Sequence, residues 1–558
     1  MVKRVFKLVY SEIRSLHQAA YILAFFAIGS QILALIRDRM LAHNFGAGPE
    51  LDLYYAAFRI PDLLFALFAS ILSVYVLLPF VTKARAEKDE AEAASILSQM
   101  LTVFLGVYAL MAVIIFILAP YLVHWLFPGF ANEADVLVML IRVLLLQPFL
   151  LGISSLFGVV TQLSQRFVLY ALSPLVYNLG IIFGIIVLYP RFGILGLAVG
   201  VVIGALGHIL IQVPLVRKGP LAFGFVRKID WRLIRSVLLF SFPRAITLSI
   251  HQVVLLVFIS LATLMTAGSV SAFQLAFNLQ SVPLAIIGMS YSVAAFPVLA
   301  DLFAKQKRDE FCHHVLSAVR HIIFWSFPII ALVIVLRAQI VRVLLGSGEF
   351  SWNDTRLTAA MLALFVVALV AQSLLLLLVR TFYAGGNTRT PLLIALFGAL
   401  VSISSALIMV MLFKSVPLIK DTLEGLFRLN GVVGTEVLLL ALAFILGTIV
   451  EMVLLLIFTK RQFGLVWSSL NRQVFEAAFA ALAAGLTAYA TLSFIVDGIK
   501  QDFFIGILLQ GAVAGILGVV AALLVYHTFK SKELHEIYSS FRIKILKKDL
   551  IAPQVETP

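Results

Sequence analysis

No Asp, Glu, Lys or Arg occurs anywhere in the interval 93–120. A helix needs about 20 apolar residues to cross the hydrocarbon core of a bilayer, so a run of this length is built to span. Comparable runs recur along the whole 558-residue chain, separated by short charged segments. The composition agrees: 62% of residues are hydrophobic and 13% charged, against about 45–50% and about 25% in soluble domains. Closed β-barrels also span membranes, but through short segments of alternating polarity; the runs here are long and continuous. The chain reads as an all-α integral membrane protein.

The apolar runs place about fourteen transmembrane helices, at 17–43, 53–82, 93–120, 134–162, 168–189, 192–216, 234–264, 270–301, 318–337, 355–384, 389–413, 434–458, 474–496 and 503–528. Lys and Arg concentrate on alternate connections, the bias expected of cytoplasmic loops, and this puts both termini in the cytoplasm. The net charge of +14 follows from that bias rather than from nucleic-acid binding. Basic clusters at Arg217–Arg235 and Lys530–Lys548 suit anionic lipid headgroups. The lead-in MVKRVFKLVYSEIRSLHQ shows no cleavable signal. The single cysteine, Cys312, excludes an intrachain disulfide and a cysteine metal cage. The segment FKSVPLIKDTLEGLFRLNG reads as an extracytoplasmic loop with an interfacial piece.

An internal repeat runs through the first twelve spans. Phe58 in AAFRIP matches Phe277 in LAFNLQ, Pro79 matches Pro297, Glu90 matches Glu310, Phe130 matches Phe350 and Asp135 matches Asp354, at offsets of 218 to 220. Two copies of a six-helix unit with even span number insert the same way up. They are then related by a pseudo-twofold axis along the membrane normal, as in parallel-repeat transporters that expose a midplane site alternately to each side. The domains follow: a basic amphipathic segment 1–16, an N-lobe 17–217, a basic linker 218–231, a C-lobe 232–460, two further helices in 461–528, and a basic tail 529–558.

The densest intramembrane charge lies in QILALIRDRMLAHNFGAGPELDLYYAAFRIP, residues 31–61. It carries Arg37, Asp38, Arg39, Asp52 and Arg59, with Asp62 just beyond. A charge at the centre of a spanning helix costs about 2.5–3.5 kcal/mol on insertion scales, and such residues face a wet cavity or one another. Asp52 and Arg59 are seven apart, two turns along one face; Arg59 and Asp62 are neighbours at three. Pro61 can bend the helix between them, and GAGP at 46–49 makes the preceding turn. Guanidinium groups hold phosphate oxygens bidentately, so an anion-binding cavity stands beside the plainer reading, ion pairs at the membrane edge. Arg244 follows Pro243 early in the seventh span, where it could face the same cavity or reach the inner surface. His251 reads as a packing residue; Arg142, Gln147, Asn178, Gln274, Asn278, Gln280 and Glu451 read as helix–helix hydrogen-bonding groups. Gly385 and Gly386 end the tenth span.

Some chemistries are excluded. Residues 231–300 and 355–420 contain no Asp or Glu, so no carboxylate cation site is built wholly from the seventh, tenth and eleventh spans. There is no phosphate-loop, H-E-x-x-H or G-x-S-x-G motif. No enzyme, metal or cofactor is expected.

SQILALIRDRMLAHNFGAGPELDLYYAAFRIPDLL resembles the first two helices of the lipid II flippase (MurJ/MviN) family, and PGFANEAD, LLGSGEFSWNDTRLTAAML and RTFYAGGNTRTP agree with it further on. The resemblance covers nearly the whole chain. It implies the multidrug/oligosaccharidyl-lipid/polysaccharide exporter fold, a central cavity lined by the first, second, seventh and eighth spans, and a lipid-tail groove beside the last two. It carries substrate-binding roles onto Arg37, Asp38, Asp52 and Arg59: the arginines would hold a diphosphate and the carboxylates would position them. Other family positions depart, holding Gln31, Phe65, Ala66, Ser70, Ile71, Phe277 and Asn278, so the cavity loses several cationic donors and Arg244 becomes a candidate replacement. The implied partners are lipid II, or a related polyprenyl-diphosphate glycolipid, and membrane lipids, with a monomer in the bacterial inner membrane. Export of another lipid-linked glycan, a non-transporting scaffold and an ion-coupled drug antiporter are the competing readings. The driving force stays open.

Overall fold

The computed structural model describes residues 16–87, 89–218, 221–495 and 504–546. Among them every regular element is helical. In chain order the α-helices are α1 (Leu16–Phe45), α2 (Pro49–Ala57), α3 (Arg59–Ile71), α4 (Val74–Glu87), α5 (Glu90–Leu126), α6 (Ala134–Leu144), α7 (Leu146–Leu163), α8 (Phe167–Phe183), α9 (Tyr189–Phe192), α10 (Ile194–Leu210), α11 (Val213–Lys218) and α12 (Trp231–Thr263). They continue as α13 (Ser269–Leu284), α14 (Ser290–Ala304), α15 (Arg308–Leu345), α16 (Trp352–Val367), α17 (Leu369–Ala384), α18 (Arg389–Ser415), α19 (Pro417–Phe427), α20 (Leu438–Phe463), α21 (Asn471–Ala490), α22 (Phe504–Thr528) and α23 (Lys532–Leu546).

Eleven helices among the described residues are long and apolar enough to cross a bilayer, and twelve when α16 and α17, which meet at 44°, form one broken span. The expected total of fourteen is not reached by that measure. The two intervals left over are the first and second. Arg37, Asp38 and Arg39 put charge inside α1, which itself runs unbroken from Leu16 to Phe45, and the second span is broken into α2, α3 and α4. Pro61 explains the first break: it has no N–H to offer the Ala57 carbonyl, where α2 ends.

The chain forms two compact units. One comprises residues 1–279, 344–361 and 388–451; the other comprises 280–343, 362–387 and 452–558. In the first, α8 and α10 approach until Gly180 and Gly204 touch backbone to backbone, and a Cβ at either glycine would overlap the opposite chain. Small residues at such crossings let helices pack closely where no hydrophobic effect drives them together. The second unit contains α21 against α22, with Tyr526 stacked on Phe324 at 4.1 Å between ring centroids.

Carbonyls freed by intramembrane prolines are recaptured by distant side chains, as a medium without water demands. Pro120 leaves the Phe116 carbonyl without its helical donor, and Arg142 Nε donates to it at 3.1 Å while the guanidinium lies 4.5 Å over the Phe116 ring. Pro328 likewise frees the Phe324 carbonyl, which accepts from the Tyr526 hydroxyl at 2.7 Å. Arg142 thus does interhelical hydrogen bonding, as expected of it.

The repeat is visible in packing. Gly129, in the turn Pro128–Phe130, lies against the Thr263 carbonyl at the end of α12 so closely that a Cβ would overlap it. Gly348, with φ +57°, lies in the same way against His43 near the end of α1, where Glu349 N donates to the His43 carbonyl at 2.9 Å. The two contacts are related by the spacing of 219 to 220 found in the sequence. Each copy therefore docks one loop onto the first helix of the other. Phe130 and Phe350 are both buried there.

Candidate functional site

The charged stretch folds so that its side chains face inward. α1 turns into α2 through Gly46, at φ +58°, with Pro49 in the first turn of α2. Asp38 and Arg59 are buried, and the Arg37 side chain is 20% exposed.

A continuous hydrogen-bonded chain links four spans of the first unit. Arg37 donates to Asp38 Oδ1 through Nε at 2.9 Å and Nη2 at 2.8 Å, and through Nη1 to Asn178 Oδ1 on α8 at 3.1 Å. Asn178 is itself fixed, donating to the Pro174 carbonyl at 3.1 Å and to Ser30 Oγ at 3.3 Å. The other Asp38 oxygen accepts from Asn278 Nδ2 on α13 at 3.0 Å. Asn278 Oδ1 accepts from Gln274 Nε2 at 2.7 Å, and Gln274 Oε1 accepts from Arg59 Nη2 at 3.0 Å. Arg59 Nε donates to the Tyr55 carbonyl at 3.3 Å.

The two arginines differ electrostatically. Arg37 has a carboxylate beside it. Arg59 is 6% exposed, and its hydrogen-bond partners are a carbonyl and an amide. Asp62, one turn on and half-buried, makes no ion pair with it within 4 Å. A buried guanidinium held only by neutral oxygens has N–H groups and charge left over for an anion.

Asp52 stands apart from this chain. The break at Phe58 puts it on α2 and Arg59 on α3, so they do not share one helix face as the spacing suggested. Its carboxylate accepts from Gly268 N at 2.6 Å, Ser271 N at 2.7 Å and Ser271 Oγ at 2.5 Å. These are the orphan donors at the start of α13, which an N-cap side chain would ordinarily satisfy. Asp52 supplies the cap from the other copy of the repeat.

The structure thus brings together Arg37, Asp38, Arg59 and Asn278, and sets Asp52 against a helix end. The Arg244 side chain lies outside the described residues. Asn178 and Gln274, read from sequence as ordinary interhelical groups, are the members that reasoning from charge passes over. The signal for Gln274 was present: it lies four residues before Asn278 on one face, and through the repeat Gln274 and Asn278 occupy the places of Tyr55 and Arg59. In the second unit an apolar hollow of about 400 Å³ is lined by Leu332, Gly511, Ala512, Gly515, Ile516 and Val519, against α22.

Comparison with known proteins adds the family. Residues 41–510 match the model of the family described as lipid II flippase MurJ. A probable lipid II flippase MurJ from Thermotoga maritima is 28% identical over 378 residues, covering 67% of this chain and 76% of that protein. One from Rickettsia prowazekii is 25% identical over 411 residues, covering 71% and 78%. A solved structure described as lipid II flippase MurJ in an inward closed conformation superimposes with a TM-score of 0.71 at 20% identity, over 93% of this chain and all of that one. A multidrug-resistance MATE transporter of the MOP superfamily in an inward-facing conformation superimposes at 0.63 and 14%, over 78% of this chain. The fold is therefore that of these transporters, and with the family model matching most of its length the chain belongs to the MurJ lipid II flippase family.

Proposed function

We propose that the protein moves lipid II, the polyprenyl-diphosphate-linked peptidoglycan precursor, from the inner to the outer leaflet of the bacterial cytoplasmic membrane by alternating access. The observation that carries the reading is Arg59, buried, hydrogen-bonded only to neutral oxygens, with Asp62 nearby but not bonded to it. As a mere staple between helices it would be an expensive choice, since apolar residues of similar volume generally do that job at no loss of stability. A diphosphate oxygen replacing Gln274 would give the guanidinium a charged hydrogen-bond acceptor, which neither Gln274 nor the Tyr55 carbonyl is. Arg37, already oriented by Asp38 and Asn178, would offer a second donor. Asp62 and Arg244 belong to the same reading as further groups at the site, and Asp52 as the group that fixes α13 and with it Asn278 and Gln274.

On this reading the protein is a monomeric carrier, not an enzyme, and needs no cofactor. Two lobes, 17–217 and 232–460, rock about the site. Fourteen spans keep both termini in the cytoplasm, where the basic linker and tail meet anionic headgroups. The test is translocation of fluorescent lipid II in proteoliposomes. The wild type should move it, and Arg59→Gln and Arg37→Ala should abolish movement while leaving the protein monodisperse. Wild-type protein that leaves lipid II in place but moves another polyprenyl-diphosphate glycan would favour the second reading. That reading draws on Phe65, Ala66 and the neutral Asn278, where the resemblance led one to expect charge.

A further inference from the structure

One carboxyl near the middle of a span lies outside the Arg37–Arg59 network. Glu451 sits on α20, within the apolar stretch Thr435–Phe463. Among the described residues it makes no hydrogen bond or ion pair. Its surroundings are shaped to receive it. Where α18 crosses α20, Gly398 faces Glu451: a Cβ at Gly398 would come 3.1 Å from Glu451 Cβ and 3.2 Å from Oε2. One turn along, Gly447 of α20 receives Ser402 of α18, with the Gly398 carbonyl 2.8 Å from the place of a Gly447 Cβ. Two glycines thus open a notch in the crossing, and the carboxyl occupies it.

The neighbourhood says what the carboxyl binds. α18 carries no titratable residue between Arg389 and Lys414 at its two ends. From α12, the His251 ring meets Phe444, two turns before Glu451 on α20, at 6.3 Å between centroids. The Arg244 side chain on α12 lies outside the described residues. No group of three or more His, Cys, Asp or Glu that could hold a metal ion occurs among the described residues. A proton needs only the carboxyl. Ionised, the group is costly at this depth; protonated, it is not, and intramembrane carboxyls of this kind mark proton pathways.

We propose that Glu451 is a proton-binding site that loads and unloads during the transport cycle, so that the proton is the coupling ion. The proposal rests on the transport reading above. In the protonated form the carboxyl can remain in the Gly398 notch as α18 and α20 slide; in the ionised form it must reach water, so its titration and the movement of these helices are linked.

The experiment uses full-length protein in proteoliposomes with fluorescent lipid II, a pH difference of either sign, and the potential clamped at zero with potassium and valinomycin. The wild type should accumulate lipid II according to the gradient, by up to about tenfold per pH unit for one proton. Glu451→Gln should keep lipid II binding and bidirectional exchange but lose the response to the gradient. Glu451→Asp, which still titrates, should keep the response. A Glu451→Gln protein that follows the gradient as the wild type does overturns the proposal, as does a wild type that moves lipid II with no response to it. A wild type that moves no lipid II under any gradient overturns the transport reading and this proposal together.

Discussion

Replacing Asp52 by Ala separates a residue that builds the site from one that touches its ligand. The carboxylate, 3% exposed, accepts from two backbone N–H groups and one hydroxyl at the start of α13. Truncation leaves Gly268 N and Ser271 N without acceptors in a buried place, each costing about 1–3 kcal/mol. Relief from burying a carboxylate offsets part of this, so the expected loss is about 3 kcal/mol, larger than an exposed cap would give. Ser271→Ala removes only the hydroxyl contact and should cost about 1 kcal/mol. In the Asp52→Ala background that second change should cost almost nothing, because its partner is already gone. Thermal unfolding of the purified protein in detergent reads all four members of the cycle. Binding of fluorescent lipid II, measured well below the unfolding midpoint, supplies the second axis. Asp52→Ala should unfold several degrees lower yet bind, when folded, within about twofold of wild type, a difference under about 0.5 kcal/mol. The reverse pattern, an unchanged midpoint with binding lost, would make Asp52 a ligand of the substrate and refute the capping argument.

Three further perturbations test other links. Gln274→Glu would give Arg59 a charged partner in place of a neutral one; charge-assisted bonds are the stronger, so the unfolding midpoint should hold or rise while lipid II transport falls by about tenfold or more, equivalent to about 1.4 kcal/mol of lost anion binding. Arg142→Leu should destabilise by about 1–3 kcal/mol because it strands the Phe116 carbonyl, and Pro120→Ala, which restores that carbonyl's helical donor, should remove most of the penalty in the double variant. Gly129→Ala and Gly348→Ala should each lower the unfolding midpoint, since a Cβ meets the Thr263 carbonyl in one case and His43 in the other; a null effect of both would refute the reciprocal docking of the two copies.

What the sequence disclosed and what it hid divide along a physical line. Periodicity and run length are local properties, and they found the spans wherever a helix is uniformly apolar. They also place the first two spans, but they do not reveal that the second breaks at Phe58, because that break depends on a backbone hydrogen bond that Pro61 cannot make and not on composition. The offset of 219 survived in sequence because it is enforced by contacts made twice, Gly129 on Thr263 and Gly348 on His43. The partners of Arg59 and Asp52 were not legible. Residue type and spacing can mark an arginine as out of place in a membrane, but only coordinates tell whether its neighbour is a carboxylate or an amide. Asp52 and Arg59, seven apart and both charged, looked alike from sequence. In the fold one carboxylate is saturated by three donors of α13 while the guanidinium keeps charge to offer. The same helix, α13, receives both: its first turn is held by Asp52, and about one and two turns further along it presents Gln274 and Asn278 to Arg59 and Asp38. A ligand that displaces Gln274 from Arg59 therefore pulls on a helix whose other end is pinned to the opposite copy of the repeat, which is how anion binding in this site would be felt by both copies at once.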